Sequence, residues 1–284
     1  MLIKYLFSCC FILLSFAAPA EQFQASFTDT QWQVIESPLE CTLSQDIIGF
    51  GNAKFTQQPG KEFSLIFTTP SHPSEQTDLY FEIAQAPWQN IEERLRLTTI
   101  PLANNQKEFR LSGKLAKQAF THIEEGKFPT IRYRSHKSTE DISALLSTVH
   151  FRDSQLAFTQ CLDNLFPHTF AQMRKLTVHF HLEKSNLNTE AKVALSRIAE
   201  YVKIDDSIKR VAIAGHTDNH GRKRINIPLS KARAITIKNY LVQQGNVPEN
   251  LITTSSHREF IAAATNKSLS GRAINRRAEI ELFR

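Results

Sequence analysis

The spacing of apolar and polar residues changes character at about residue 166. Before it, residues 62–68, 79–83 and 130–133 alternate, with Phe63, Leu65 and Phe67 on one side of the first run. That period of two predicts half-buried strands. Pro59-Gly60, Pro70 and Pro73 punctuate the runs. Helices are expected at 113–123 and from about 154 to 165, the second carrying Cys161. After residue 166 strands and helices interleave. Residues 176–182 alternate. Thr189 is placed to cap a helix in which Ala191, Ala194, Leu195, Ile198 and Val202 recur on one face. Val211-Ala212-Ile213-Ala214 fits one buried strand, ended by Gly215. Ser230 is expected to cap the next helix, which buries Ala234, Ile237 and Leu241 and stops at Gly245. Residues 251–255 and 278–283 supply two more strands. The first pattern predicts a mainly antiparallel β domain, a sandwich or an open barrel. The second predicts an α/β sandwich of order βαβαββ, a mixed sheet with helices on one face.

The first twenty residues belong to neither pattern. Lys4, an apolar core over 6–16 and Ala18-Pro19-Ala20 predict a cleaved secretory signal over 1–20. The core is too short to span a bilayer. Too few apolar residues precede Cys9 for a lipoprotein signal. The domains are then expected at 21–166 and 167–284. Cleavage removes Cys9 and Cys10, and Cys41 and Cys161 remain for an oxidising compartment, where they read as one disulfide. Closing a loop of about 120 residues stabilises by roughly 4–5 kcal/mol in the chain-entropy account. Two isolated cysteines lack the spacing of a zinc site.

Composition adds limits. With 41% hydrophobic and 22% charged residues the chain is globular and not disordered. Loss of Lys4 takes the formal charge from +6 to +5, which permits an acidic polymer as partner without demanding one. There is no nucleophile elbow, phosphate loop or pair of catalytic carboxylates. The sequence therefore predicts no enzyme, no cofactor, no metal and no nucleic-acid partner.

The candidate chemistry lies after the strand at 211–214. Asp218 follows that strand, and Arg233 falls in the first turn of a helix capped by Ser230. A helix N-terminus and a guanidinium suit a carboxylate, and Asp218 suits an ammonium. Together they would hold a zwitterion, unless they simply pair with each other. His216, Asp218 and His220 form a weaker metal alternative.

Three segments then carry a resemblance: GHTD at 215–218, NIPLSKARA at 226–234 and GRAINRRAEI at 271–280. They are similar to the ordered motifs of the OmpA-like peptidoglycan-binding family. The resemblance implies non-covalent binding of the peptidoglycan stem peptide, with Asp218 and Arg233 gripping the free amino-acid end of meso-diaminopimelate. It also implies that Asn226 supports the loop beside Thr217, with Glu183 near the ligand; of the basic cluster Arg272, Arg276 and Arg277, one is expected to meet a ligand carboxylate, with Arg276 the candidate. The sequence departs from the family at 255–260, SSHREF, where glycines are missing, and at 260–264, where a proline is. A changed ligand preference is expected there.

The first domain has its own resemblance. WQVIESPLEC at 32–41, Ala86-Pro87-Trp88, FPTIRY at 128–133 and a Cys161-x-x-x-Leu165-Phe166-Pro167 close are similar to the MotY family of polar, especially sodium-driven, flagellar motors. What this implies is a periplasmic ring around the flagellar basal body, built with MotX and tied to the wall by the second domain, which recruits stator units of the MotB or PomB type. The alternative is a general envelope tether without a motor role.

Overall fold

The computed structural model describes residues 21–70, 77–89, 91, 93–103, 105–134 and 141–284. The expected signal segment, with Cys9, Cys10 and the cleavage site, and Pro73 lie outside the described residues. The chain divides into two compact units between Asp163 and Asn164.

The first unit contains strands β1 (Glu21–Gln24), β2 (Trp32–Ser37), β3 (Glu40–Ile47), β4 (Gly51–Gln57), β5 (Ser64–Thr68), β6 (Asp78–Ala84), β7 (Arg94–Pro101) and β8 (Glu108–Ser112). Helix α1 (Gly113–Glu124), β9 (Phe128–Arg134), β10 (Asp141–Leu145) and helix α2 (Phe151–Asp163) complete it. One sheet runs β2-β3-β4-β5-β8 and is antiparallel throughout. The other runs β1-β10-β9-β6-β7, antiparallel except for the parallel pair β1 and β10. Alternate residues of the two sheets meet. Phe67 packs on Phe81 at 6.3 Å and Phe109 on Tyr133 at 5.4 Å between ring centroids. This is a sandwich rather than an open barrel.

Both helices are held by aromatic rings. Phe120 of α1 lies 5.1 Å from Phe55, 5.7 Å from Phe63, 5.5 Å from Phe151 and 5.8 Å from Phe158. Helix α2 packs on β2 and β3, and Cys161 is bonded to Cys41 with a Cα–Cα distance of 5.8 Å. The outward side of the second sheet carries charge. Glu82 is buried beneath Arg132 at 3.0 Å and Arg94 and Arg96 at 3.5 Å. Burial opposes ionisation of Glu82, but Arg132 and its two neighbours outweigh it and hold the carboxyl below its ordinary range.

The second unit contains α3 (Phe170–Met173), β11 (Lys175–His179), α4 (Thr189–Ile204), β12 (Arg210–His216), α5 (Lys223–Gln243), β13 (Ile252–Arg258), α6 (Leu269–Asn275) and β14 (Arg277–Phe283). The sheet order is β11-β14-β12-β13, with only β12 and β13 parallel. Helix α5 packs along β12 and β13, and α4 lies on β11 and α5. Leu195, Ile213, Ile237, Leu241, Ile280 and Leu282 fill the core between helices and sheet.

Three local expectations change. Asn188, not Thr189, caps α4, its Oδ1 accepting from the Ala191 N–H at 2.8 Å. Strand β11 stops at His179, because the carbonyls of His181 and Lys184 turn aside to accept bonds from Arg233. Helix α5 starts at Lys223, so Ser230 sits in its interior with Pro228 and does not cap it. The Ser230 hydroxyl donates back to the Asn226 carbonyl at 2.8 Å. A helical turn unforeseen in the sequence, α6, joins β13 to β14. It is capped by Ser268, whose Oγ accepts from the Gly271 N–H at 3.0 Å.

Candidate functional site

The site forms where β12 runs into α5. Gly215 permits that approach: a Cβ there would lie 1.9 Å from the Ser230 carbonyl oxygen. With the helix so close, three polar residues of its buried face lie against the segment after the strand. They are Asn226 at 2% exposure and Ser230 and Arg233 at 0%.

Asp218, only 3% exposed, is held from two sides. Its Oδ1 accepts the His220 N–H at 3.0 Å, and its Oδ2 accepts from Nη1 of Arg276 at 3.0 Å. Asn226 Nδ2 donates to the Asp218 carbonyl at 3.3 Å and reaches Glu259 Oε2 at 3.4 Å. The Thr217 N–H donates to the Arg258 carbonyl at 2.9 Å. The structure thus gathers Thr217, Asp218, Asn226 and Arg276 at one place.

Arg233 is not in the first turn of its helix, and no ion pair joins it to Asp218 among the described residues. It donates to three backbone carbonyls: Nη1 to His216 at 2.6 Å, Nε to Lys184 at 3.0 Å and Nη2 to His181 at 3.2 Å. A guanidinium has five N–H groups, so two remain beyond these three bonds. Burial, only partly offset by the charge of Asp218 and reinforced by Arg276, lowers the Arg233 pKa to about 10. It stays protonated at neutral pH. Arg233 and Arg276 therefore place two positive charges near the Asp218 carboxylate, with Glu259 close by at Asn226. Glu183 is exposed in the left-handed region at φ 55°. It lies in the turn whose flanking carbonyls hold Arg233, so its backbone shapes the site.

Of the other two arginines in the closing motif, Arg272 donates to the Asn266 carbonyl at 2.8 Å. Arg277, buried, bonds Glu279 at 2.7 Å and the Ile261 carbonyl at 3.1 Å. The Asp218–Arg276 pairing follows from strand register. Gly215 of β12 stands opposite Ala278 of antiparallel β14, so the residues just before β14 reach those just after β12. The motif order alone does not contain that register.

His216 is 1% exposed, stacked on His257 at 5.3 Å between centroids, with Nε2 3.9 Å from Glu279. Burial and the nearby Arg277 push its pKa down to about 4. It is neutral, packed at the end of β12. Among the described residues no three His, Cys, Asp or Glu side chains converge as a metal set. Beside Arg276 an open groove of about 340 Å³ is lined by His179, Phe180, His181, Asn188, Ala273 and Ile274. A half-buried guanidinium on an open groove, Arg276, can take a carboxylate, and Asp218 bonded to it can take an ammonium.

Known proteins resemble the chain in two registers. Residues 179–276 match the OmpA family. Within that part the chain is 43% identical over 86 residues to the peptidoglycan-binding protein ArfA of Mycobacterium bovis, covering 30% of this chain and 26% of ArfA. The cell wall anchor of the type VI secretion system of Pseudomonas aeruginosa is 29% identical, with a TM-score of 0.34, covering 38% of this chain and 80% of that one. Over nearly the whole length, the sodium-type flagellar protein MotY of Vibrio parahaemolyticus is 29% identical across 274 residues, 95% of this chain and 93% of its own. The MotY N-terminal domain matches residues 23–167, more than half of the chain, and on that ground the chain belongs to the MotY family.

Proposed function

We propose that the protein is a periplasmic structural component of a sodium-type flagellar motor, held to peptidoglycan by its second domain, residues 167–284. The observation that carries the anchoring role is the pair of cations, buried Arg233 and half-buried Arg276, beside the carboxylate of Asp218. A buried cation without a counter-ion is costly, and an anionic ligand group completes it. The amino-acid end of meso-diaminopimelate fits. Its ammonium goes to Asp218, its carboxylate goes to Arg276 with the charge of buried Arg233 behind it, and Thr217 and Asn226 fix the loop. Glu183 stands at the rim. The role is structural, not catalytic.

The motor role rests on the first domain, residues 21–166, whose MotY-type sequence is matched alongside the OmpA part. In this reading the first domain joins MotX in a ring at the flagellar basal body, and stator complexes of the MotB or PomB type assemble around it. Residues 1–20 direct export. A general envelope tether is the competing reading, and deletion separates the two: loss of swimming with an intact envelope supports the motor, leakage without loss of swimming supports the tether.

The anchoring step is tested by sedimenting residues 21–284 with insoluble sacculi. Wild type is expected in the pellet, with Asp218→Ala and Arg276→Ala left in the supernatant. Equal sedimentation of all three would reject the site.

A further inference from the structure

Beside the site, residues 257 and 258 are tied to the segment that carries Asp218, and residue 259 to helix α5. His257 stacks on His216, the Arg258 carbonyl accepts the Thr217 N–H at 2.9 Å, and Glu259 lies 3.4 Å from Asn226. Arg258 is held in the left-handed region at φ 52°, a conformation that a side chain of this size rarely adopts. Such strain persists only where surrounding contacts over-determine it. The outcome of this fixed turn is an exposed aromatic ring. Phe260 is 71% exposed, with the guanidinium of Arg258 3.9 Å from its ring centroid. Ile261 beside it is 53% exposed, and its carbonyl is bonded to Arg277. An apolar ring is thus projected from a turn that the binding segment itself holds in place.

We propose that Phe260 is a platform for a sugar ring of the glycan strand, a second contact beyond the stem-peptide site. This rests on the peptidoglycan reading above. The two faces of a pyranose differ in polarity, and the face lined with C–H groups packs on an aromatic ring while its hydroxyls stay in water. A ring backed by a cation on one side and open elsewhere offers one such surface, fixed before the ligand arrives. The stem peptide is attached to the glycan, so a peptide end held at Asp218 leaves a sugar within the same ligand to settle nearby. Peptide and glycan would then be read together by two adjoining loops, after β12 and after β13.

The test is calorimetric titration of residues 21–284 with two soluble probes: a disaccharide–tripeptide carrying meso-diaminopimelate, and the same tripeptide without sugar. Wild type is expected to bind the sugar-bearing probe about tenfold more tightly, the upper range for one stacked ring. Phe260→Ala is expected to abolish that preference and leave tripeptide affinity unchanged, while Phe260→Tyr retains it. Asp218→Ala is expected to lose both probes. Equal binding of both probes by wild type, or a Phe260→Ala variant that weakens both or neither, would overturn the platform and leave the peptide site standing. Failure of wild type to bind either probe would overturn the underlying reading as well.

Discussion

Arg233 and Asp218 look equivalent in the sequence and are not equivalent in the fold. Arg233 is fully buried and satisfies three carbonyls. Arg233→Ala should therefore destabilise the second unit by about 2–4 kcal/mol and lower binding through misfolding. Asp218→Asn should leave stability within about 1 kcal/mol, because Arg276 is partly exposed to water, and should lose binding directly. Urea midpoints beside sacculus binding separate the two effects. His216 gives a pH signature. Its pKa is about 4 when folded and near 6.5 when unfolded, so the unfolded chain binds more protons between those values. Stability is complete above about pH 6.5 and falls as pH drops toward 4, by up to ~3 kcal/mol. His216→Gln should flatten that slope between pH 6.5 and 5 in urea unfolding. At this scale the motifs pointed to Thr217, Asp218, Asn226 and Arg276, which the fold brings together, but their partners depend on strand register. The Asp218–Arg276 pair becomes visible only once β14 is laid against β12.

Elements were more legible than their ends. The alternation at 79–83 and 130–133 and the helical spacing at 189–202 are local properties, and β6, β9 and α4 form there. Helix α5 begins seven residues before the expected cap, because contacts with β12 outweigh Pro228 as a breaker. Seven-residue α6 is too short to show a helical period. The pairing of Cys41 with Cys161 was legible by elimination and its helical end by spacing, whereas the seat of Cys41 on β3 was not. Since α2 also packs Phe151 on Trp32 at 5.3 Å, Cys161→Ser should loosen the helix without abolishing it. The expected cost is about 2–5 kcal/mol, read as a lower melting temperature of the first unit with the second unit unchanged.

For the whole molecule, the division into two units follows from the change of hydrophobic period, a signal that survives without any tertiary contact. How the sheets pair was not available from the period, since alternation does not specify neighbours. The parallel placement of β1 on β10 spans most of the first unit's sequence. A mechanical consequence follows from the disulfide. In the proposed anchoring role the protein would be pulled through its own chain. Tension arriving from the second unit enters the first at Cys161 and crosses directly to Cys41, and the 120-residue loop between them is left slack. The part of the sandwich from β4 to β10 is thereby shunted out of the line of tension, like the coils of a rope behind a knot, while β1 and β2 remain in it. In an optical trap with handles at residues 21 and 284, reduction should release up to roughly 400 Å of additional contour length, the extended span of that loop. Under oxidising conditions that length should stay locked at any force the covalent bond survives.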